Sequence, residues 1–342
     1  MAQFFKRSAA PAGAAAKASS KVTPTSDSST QSPRKAAFDA IKPDPDKIGI
    51  SGSVPFVRLP DPGALFRARA ARLNALAPGH PLEAYLRLVA RVAEAQAAVE
   101  AARGAAGWDL GGEAPADQAV RIEHGMPPLS RHVIETDPTF QDALTALLAA
   151  LDLAEAPEEA RAARAALEAA APEDRLDLAV QVFEGAIPLE RVAECLYVSA
   201  ALQVCLARRA ARLDPRALKP VADGVCPACG GAPTASLIVG WTPADKARYL
   251  SCSLCGTLWN HVRIRCTACG SGEGISYYGL DEISKDVQVE TCTACHSSIK
   301  HLHQHRAVDL DPVADDIASY GLDLKIAEEG FKRAGLNLLF VV

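Results

Sequence analysis

At 342 residues the chain has room for two or three domains, and its sparse aromatic residues beside abundant Ala favour Ala/Leu-rich helices over an all-β fold. A formal net charge of −5 carries no polyanion-binding signature. No run of about 18 apolar residues occurs, so no membrane-spanning helix is expected.

The opening stretch, MAQFFKRSAAPAGAAAKASSKV, has one Lys-Arg pair and no apolar h-region, so a secretory signal is not expected. A cytosolic chain keeps its thiols reduced, and ten cysteines there point to metal or redox chemistry ahead of disulfides. Residues 1–45, rich in Ala, Ser, Thr, Lys and Pro, cannot bury a core and read as a disordered tail.

Residues 46–220 read as an α-helical, bundle-like domain. DPGALFRARAARLNALA offers Asp61 as a cap and Pro62 in the first turn. In HPLEAYLRLVARVAEAQAAVEAARG, residues Leu82, Tyr85, Leu86, Val89, Val92 and Ala93 form one apolar stripe, with Gly104 and Gly107 expected to end the helix. A polar connection through GMPPLSRH leads to DPTFQDALTALLAALDLA, PEEARAARAALEAAA and PEDRLDLAVQVFEGA, each opened by Pro and acidic residues suited to a helix N-terminus. The segment from Val192 to Leu206 is apolar around most of its circumference, which marks the buried centre of a bundle, with Cys195 and Cys205 as core residues.

Composition changes after Pro220. Four C-x-x-C pairs follow: Cys226/Cys229, Cys252/Cys255, Cys266/Cys269 and Cys292/Cys295. The gaps Cys229–Cys252 and Cys269–Cys292 each contain 22 residues, and every cysteine of the first set recurs 40 positions later. Gly230 matches Gly270, and Ser236 matches Ser276. This is an internal duplication. The segments ASLIVGW, ARYLSC, ISYYGL and VQVETC read as strands. C-x2-C pairs on tight turns at this separation have zinc-ribbon spacing, in which two turns supply one tetrahedron of thiolates. Residues 221–260 and 261–305 are therefore expected to form two tandem four-cysteine modules. Sequential pairing joins Cys226, Cys229, Cys252 and Cys255 at one ion and Cys266, Cys269, Cys292 and Cys295 at the other. It is favoured because a copied unit must close its own site; a cross-brace would pair the first knuckle with the third. Four thiolates leave no open position for hydrolysis, and they suit zinc and single iron ions alike.

The alternating HLHQH of His301, His303 and His305 reads as an exposed strand end rather than a third metal site. Between residues 226 and 305, six Lys/Arg balance six Asp/Glu, which disfavours a nucleic-acid-binding ribbon. Asp315, Asp316, Glu328 and Glu329 read as solvated helix positions, and no catalytic set stands out. Residues 306–342 are expected to hold one last helix, with Ile317, Tyr320, Leu324 and Ala327 along one side. The apolar end LNLLFVV should pack on the body.

The stretches CPACG, RYLSCSLCGTLWNHVRIRCTACG, ISYYGLD, ETCTACHSSIK and ADDIASYGLDLKIAEEGFKRAGLN resemble the FdhE family, densely from Cys226 to Asn337 and more weakly through the helical part. The resemblance implies a non-catalytic cytosolic accessory protein with a helical domain and two rubredoxin-like modules. Such proteins act on the catalytic subunit of a respiratory formate dehydrogenase before export. The family's cysteines fall on all eight positions here, with iron or zinc as the ion. One departure is His296, which follows the last knuckle where Gly follows the other three. The partner contacts expected near the knuckles are Arg248, Tyr249, Trp259, Arg263, Tyr277 and Tyr278, because Arg and aromatic residues anchor interfaces. A rubredoxin-like electron carrier is the rival reading.

Overall fold

The computed structural model describes residues 54–105, 115–136, 138–280 and 284–341; the expected tail at 1–45 lies outside them. Among the described residues, eight α-helices come first: α1 (Pro62–Leu76), α2 (Glu83–Ala105), α3 (Pro115–Glu123), α4 (His132–Thr136), α5 (Thr139–Ala150), α6 (Glu158–Ala169), α7 (Pro172–Phe183) and α8 (Val192–Ala210). Asp61 caps α1, accepting from the Ala64 amide at 3.3 Å, and Pro62 occupies the first turn. On α2 the stripe Leu86, Val89, Val92 and Ala93 is buried, and the helix runs through Gly104. The short α3 and α4 fall where the sequence suggested only a connection.

Helix α8 is buried from Cys195 to Ala207 and packs against α2, α5, α6 and α7. Burial pushes the Cys195 thiol up to about 11 and Cys205 to about 12, so both are inert apolar fillers. Two polar residues, Ser199 and Gln203, interrupt this stretch, and Gln203 reaches beyond the helix. The Gln203 side-chain oxygen accepts from Arg69 Nη1 on α1 (3.1 Å) and Gln96 Nε2 on α2 (3.0 Å), while its amide donates to the Ser253 carbonyl of the first knuckle module (2.8 Å). An amide bonded at both its oxygen and its nitrogen at this depth ties three helices and a module together.

Among the described residues the cysteine-rich part forms one mixed sheet. Its strands are β1 (Val57–Arg58), β2 (Pro233–Ile238), β3 (Arg248–Cys252), β4 (Leu258–Asn260), β5 (Ile275–Tyr278), β6 (Val287–Cys292), β7 (Ser297–Leu302) and β8 (Lys332–Arg333). The order is β1-β4-β3-β2-β7-β6-β5, with β8 also on β7. Each module is a three-stranded antiparallel meander, and the two join through a parallel contact, Ser236 opposite His301 and Leu237 opposite Leu302. β1 pairs antiparallel with β4, Val57 opposite Trp259.

Strand alternation divides the core. Leu250 on β3 joins the helical core, together with Cys226, Cys229, Leu254, Cys255 and Trp259 of the first module. Tyr249, its neighbour, faces a second cluster with Leu237, Val289, Leu302, Leu322 and Ile326.

The C-terminal segment departs from the single helix expected of it. Two short helices, α9 (Ala314–Ala318) and α10 (Tyr320–Glu328), break at Ser319, whose hydroxyl bonds the Asp315 carbonyl at 2.6 Å, and β8 follows. Ile317, Leu322 and Ile326 are buried, and Leu324 is exposed. Asp315 and Asp316 are likewise not solvated: Arg72 grips Asp315 (2.7 Å), and Asp316 lies between Arg333, Asn337 and the buried ammonium of Lys300 (3.5 Å). The end of the chain docks as expected, with Phe340 ringed by Tyr85 and Tyr320. No helix among the described residues is long and apolar enough to cross a membrane.

A buried guanidinium joins the two modules. Arg248 donates to Ser236 Oγ (2.7 Å), to the carbonyls of Val262, Arg263 and Arg265 (3.3, 3.2 and 3.0 Å), to Thr267 Oγ1 (3.0 Å) and to Glu290 Oε1 (2.9 Å). Removing one partner of such a pair leaves the other charged and dry. Arg248→Met should therefore cost about 3–5 kcal/mol, and the Arg248→Met/Glu290→Leu double variant should recover part of that loss. The exposed pair Glu83–Arg87 is the control, and Glu83→Gln should leave the urea midpoint unchanged.

Candidate metal centres

The eight knuckle cysteines gather into two groups, Cys226/Cys229/Cys252/Cys255 and Cys266/Cys269/Cys292/Cys295, with all four sulfurs of each within 4.8 Å of one another. The pairing in space is thus sequential, with no cross-brace. Sulfur separations are 3.7 Å (Cys226–Cys255) and 3.4 Å (Cys229–Cys252) in the first group, and 3.7 Å (Cys266–Cys295) and 3.8 Å (Cys269–Cys292) in the second. A tetrahedron of thiolates around an ion at a zinc–sulfur distance of about 2.3 Å has edges of about 3.8 Å. Both groups fit one ion each.

The local backbone explains why. In each first knuckle the cysteine amide donates forward, Cys226 to the Gly231 carbonyl and Cys266 to that of Ser271, while the glycine amide donates back, Gly230 to Cys226 and Gly270 to Cys266. Closing that turn requires a left-handed residue after the second cysteine. Gly230, Gly256 and Gly270 stand at φ of 79°, 71° and 70°. His296 occupies the same place at φ 54°, so the fourth knuckle keeps the common geometry despite its side chain, and its ring rests 5.9 Å from Phe331.

Donors surround the sulfurs. The amides of Leu254 and Cys255 approach Cys252 Sγ at 3.4 Å, and that of Ala268 approaches Cys266 Sγ at 3.4 Å. Thr257 Oγ1 lies 3.1 Å from Cys255 Sγ, and Ser297 Oγ lies 3.0 Å from Cys295 Sγ. Thr257 and Ser297 are also 40 positions apart, so the duplication carries a hydroxyl as well as four thiols. The sequence carries that signal at the same 40-residue interval as the thiols. Burial opposes ionisation of Cys255, yet the neighbouring cysteines and Thr257 hold it well below the usual thiol range. In the second group Cys295 is held down to about 7 against burial by Ser297 and its cysteine neighbours. Burial pushes Cys226 the other way. The opposed shifts belong to each four-thiol group as a set, and ligation takes all four sulfurs as thiolates.

The residues expected to meet a partner divide sharply. Arg248 is the inter-module bridge; Tyr249 is buried 5.1 Å from Trp241 with its hydroxyl on the Pro55 carbonyl; Trp259 is buried opposite Val57. These three are structural, because each side chain is itself buried within the molecule. Arg263 is exposed, while Tyr277 and Tyr278 are half-buried on β5. Tyr277 donates to Glu290 Oε2 (2.9 Å) and the Arg263 carbonyl (3.1 Å), so β5 and the inter-module linker form one surface.

The histidine tract also differs from the expected exposed end. His301, His303 and His305 do share one face, with rings 5.1 and 5.5 Å apart, but His301 is buried against Ser236 Oγ at 3.2 Å. Burial and the nearby Arg248 keep His301 far below the usual imidazole range, and burial takes His303 down to about 4. His301 and His303 are neutral packing groups at the joint between the modules.

A helical bundle bearing two tandem four-thiol knuckle modules defines a metal-knuckle protein of the rubredoxin-like or zinc-ribbon kind. Three family models cover the described chain in turn: FdhE, N-terminal, over residues 54–223, FdhE, central domain, over 225–263, and FdhE, C-terminal domain, over 264–340. The chain is 39% identical to a protein FdhE homolog of Rhizobium meliloti (strain 1021) over 300 residues, which is 87% of this chain and 96% of the relative. It is 32% identical to protein FdhE of Escherichia coli (strain K12 / DH10B), over 85% of this chain and 94% of the relative. The crystal structure of the FdhE protein from Pseudomonas aeruginosa superposes with a TM-score of 0.74 at 33% identity, covering 84% of this chain and 99% of that one. The chain belongs to the FdhE family.

Two measurements test the centres. The Cys226→Ser/Cys229→Ser and Cys266→Ser/Cys269→Ser variants should each lose about one metal equivalent by elemental analysis. Because the first group lies in the helical core, only the first variant should also lower the helical circular-dichroism midpoint. His296→Gly should be neutral or stabilising, whereas His296→Val should cost about 1–2 kcal/mol through left-handed strain, read by thermal unfolding of the loaded protein.

Proposed function

We propose that the protein is an assembly factor for a respiratory formate dehydrogenase, holding the catalytic subunit in the cytosol before export. The observation that carries this reading is membership of the FdhE family over the whole described span, centres included. In this reading the eight cysteines are ligands, each group holds one iron or zinc ion, and the protein performs no catalysis of its own. A bound ion supplies cross-linking to β modules of this size, which bury too little to stand alone, and iron would add one-electron chemistry. The domain limits expected from sequence, at 46–220, 221–260, 261–305 and 306–342, form part of the same proposal.

Recognition falls to what remains at the surface beside the second module: Arg263 on the inter-module linker, with Tyr277 and Tyr278 on β5. The linker turns its carbonyls inward to Arg248, which leaves the side chains of Val262, Arg263, Ile264 and Arg265 outward. Val262 and Ile264 are large apolar residues left exposed, a composition suited to contact with another chain.

A tagged full-length protein purified from its own host should bring down a formate dehydrogenase catalytic subunit. Arg263→Glu should weaken that association about tenfold while leaving both metal equivalents in place. Recovery of fully metal-loaded protein without any such subunit would overturn the assembly reading. Reversible one-electron reduction of iron in a protein that captures no subunit would favour the electron carrier.

A further inference from the structure

The two centres have the same ligands and opposite surroundings. Cys226, Cys229, Cys252 and Cys255 are all buried. The loop between α3 and α4 covers one of the turns that carry them, and helices α1 and α8 cover the other. The Leu129 amide donates to the Ala228 carbonyl at 3.0 Å, and a Cβ placed on Gly230 would lie 3.3 Å from Pro127. On the other turn Gln203 holds the Ser253 carbonyl, and a Cβ on Gly256 would overlap Leu65 at 2.9 Å. Gly231 completes the enclosure, since a Cβ there would sit 3.2 Å from Cys252 Sγ and 3.4 Å from Cys229 Sγ.

No helix covers the second centre: at its first turn a Cβ on Gly270 would meet Asp223 and Arg265, both partly open to solvent, and one on Gly224 would meet the Thr267 carbonyl. Cys269 and Cys295 are exposed, as are Ala268, Thr293, Ala294 and His296 around them, while Cys266 and Cys292 remain buried on the sheet side. The position corresponding to Gly231 is Ser271, 40 residues on. Two ligands thus anchor the ion to the sheet and two face solvent.

We infer that the second centre is an exchange site, which passes its ion to or receives it from an external thiolate, while the first centre is permanent. The inference rests on the reading that both groups bind metal. An incoming thiolate can approach from the solvent side, bond to the ion, and displace Cys269 or Cys295 in the same step. The displaced cysteine leaves as a thiolate and takes up the proton that the incoming thiol released on ionising, and the ion keeps its oxidation state throughout. Repetition at the other exposed cysteine loosens the ion from half its ligands before the buried pair must yield. At the first centre the same attack requires local separation of the module from α8 and from the loop at Pro127, so its rate is limited by an opening of the core.

Full-length protein loaded with two equivalents of a heavy zinc isotope is mixed with excess natural-abundance zinc and followed by native mass spectrometry. One arm contains glutathione and the other an unstructured Cys-x-x-Cys peptide at equal thiol concentration, which separates a small-molecule source from a protein-like one. One equivalent should exchange at least about tenfold faster than the other, at a rate that rises with thiol in either arm. The Cys269→Ser/Cys295→Ser variant should keep only the slow equivalent. Alkylation of the unmodified protein by N-ethylmaleimide should mark Cys269 and Cys295 first, in step with the fast phase. A single rate for both equivalents overturns the inference, and so does a fast equivalent that persists in the variant. Protein that takes up no zinc at its cysteines overturns the metal reading itself, and this inference with it.

Discussion

The arrangement of the cysteine-rich half depends on one buried side chain, the guanidinium of Arg248. A guanidinium presents five N–H donors in a rigid plane, and burying it is costly unless all are used. Here they reach β2, the inter-module linker, the residue after Cys266, and Glu290 on β6. Every one of those partners must be in place for the charge to be tolerated. The two modules therefore cannot slide or part without exposing an uncompensated ion in the interior. Forty positions on from Arg248 stands Gln288, and forty before Glu290 stands Leu250, so neither member of the pair repeats. The duplication supplied two equal units, and the residues that differ between them are those that hold the units together.

The first centre belongs to the helical core as much as to its own module. Its four cysteines share an apolar cluster with α2, α5 and α8, and Gln203 ties α1, α2 and the module through one amide. The composition change after Pro220 thus marks a change of secondary structure and does not interrupt packing. The second module touches that core chiefly through Ile299 on β7, and its remaining apolar groups line the opposite face of the sheet with Leu322 and Ile326.

Local chemistry was legible in the sequence wherever its partners are near in the chain or repeat at a fixed interval. The knuckles, their sequential pairing, four of the strands and the buried helix around Cys195 and Cys205 all depend on spacing and periodicity. The residues that misled are those whose partners lie far away. Asp315 reads as a solvated helix residue until Arg72, 243 positions earlier, folds onto it. Asp316 needs Lys300 and Arg333, and a lysine buried beneath an aspartate has no signature in the sequence of either. Arg248, Tyr249 and Trp259 have the composition of an interface, and they form one, but within the molecule. β4 was too short to show alternation, and β1 and β8 have only two residues each.

The sheet order has a geometric corollary. Each module contributes its strands third, second, first along the sheet, so the copies are related by translation, and the parallel joint of β2 to β7 is a head-to-tail contact. A translational joint does not close on itself, and in principle a further unit can add at β4 exactly as the first unit adds at β7. The two residues of β1 occupy that position, running antiparallel to β4, and the Phe56 carbonyl takes the Asn260 amide at 2.7 Å. The segment ahead of α1 is therefore a terminator at one of the sheet's two ends: a short length of chain from outside the repeat that satisfies the β4 edge, while β5 forms the opposite edge.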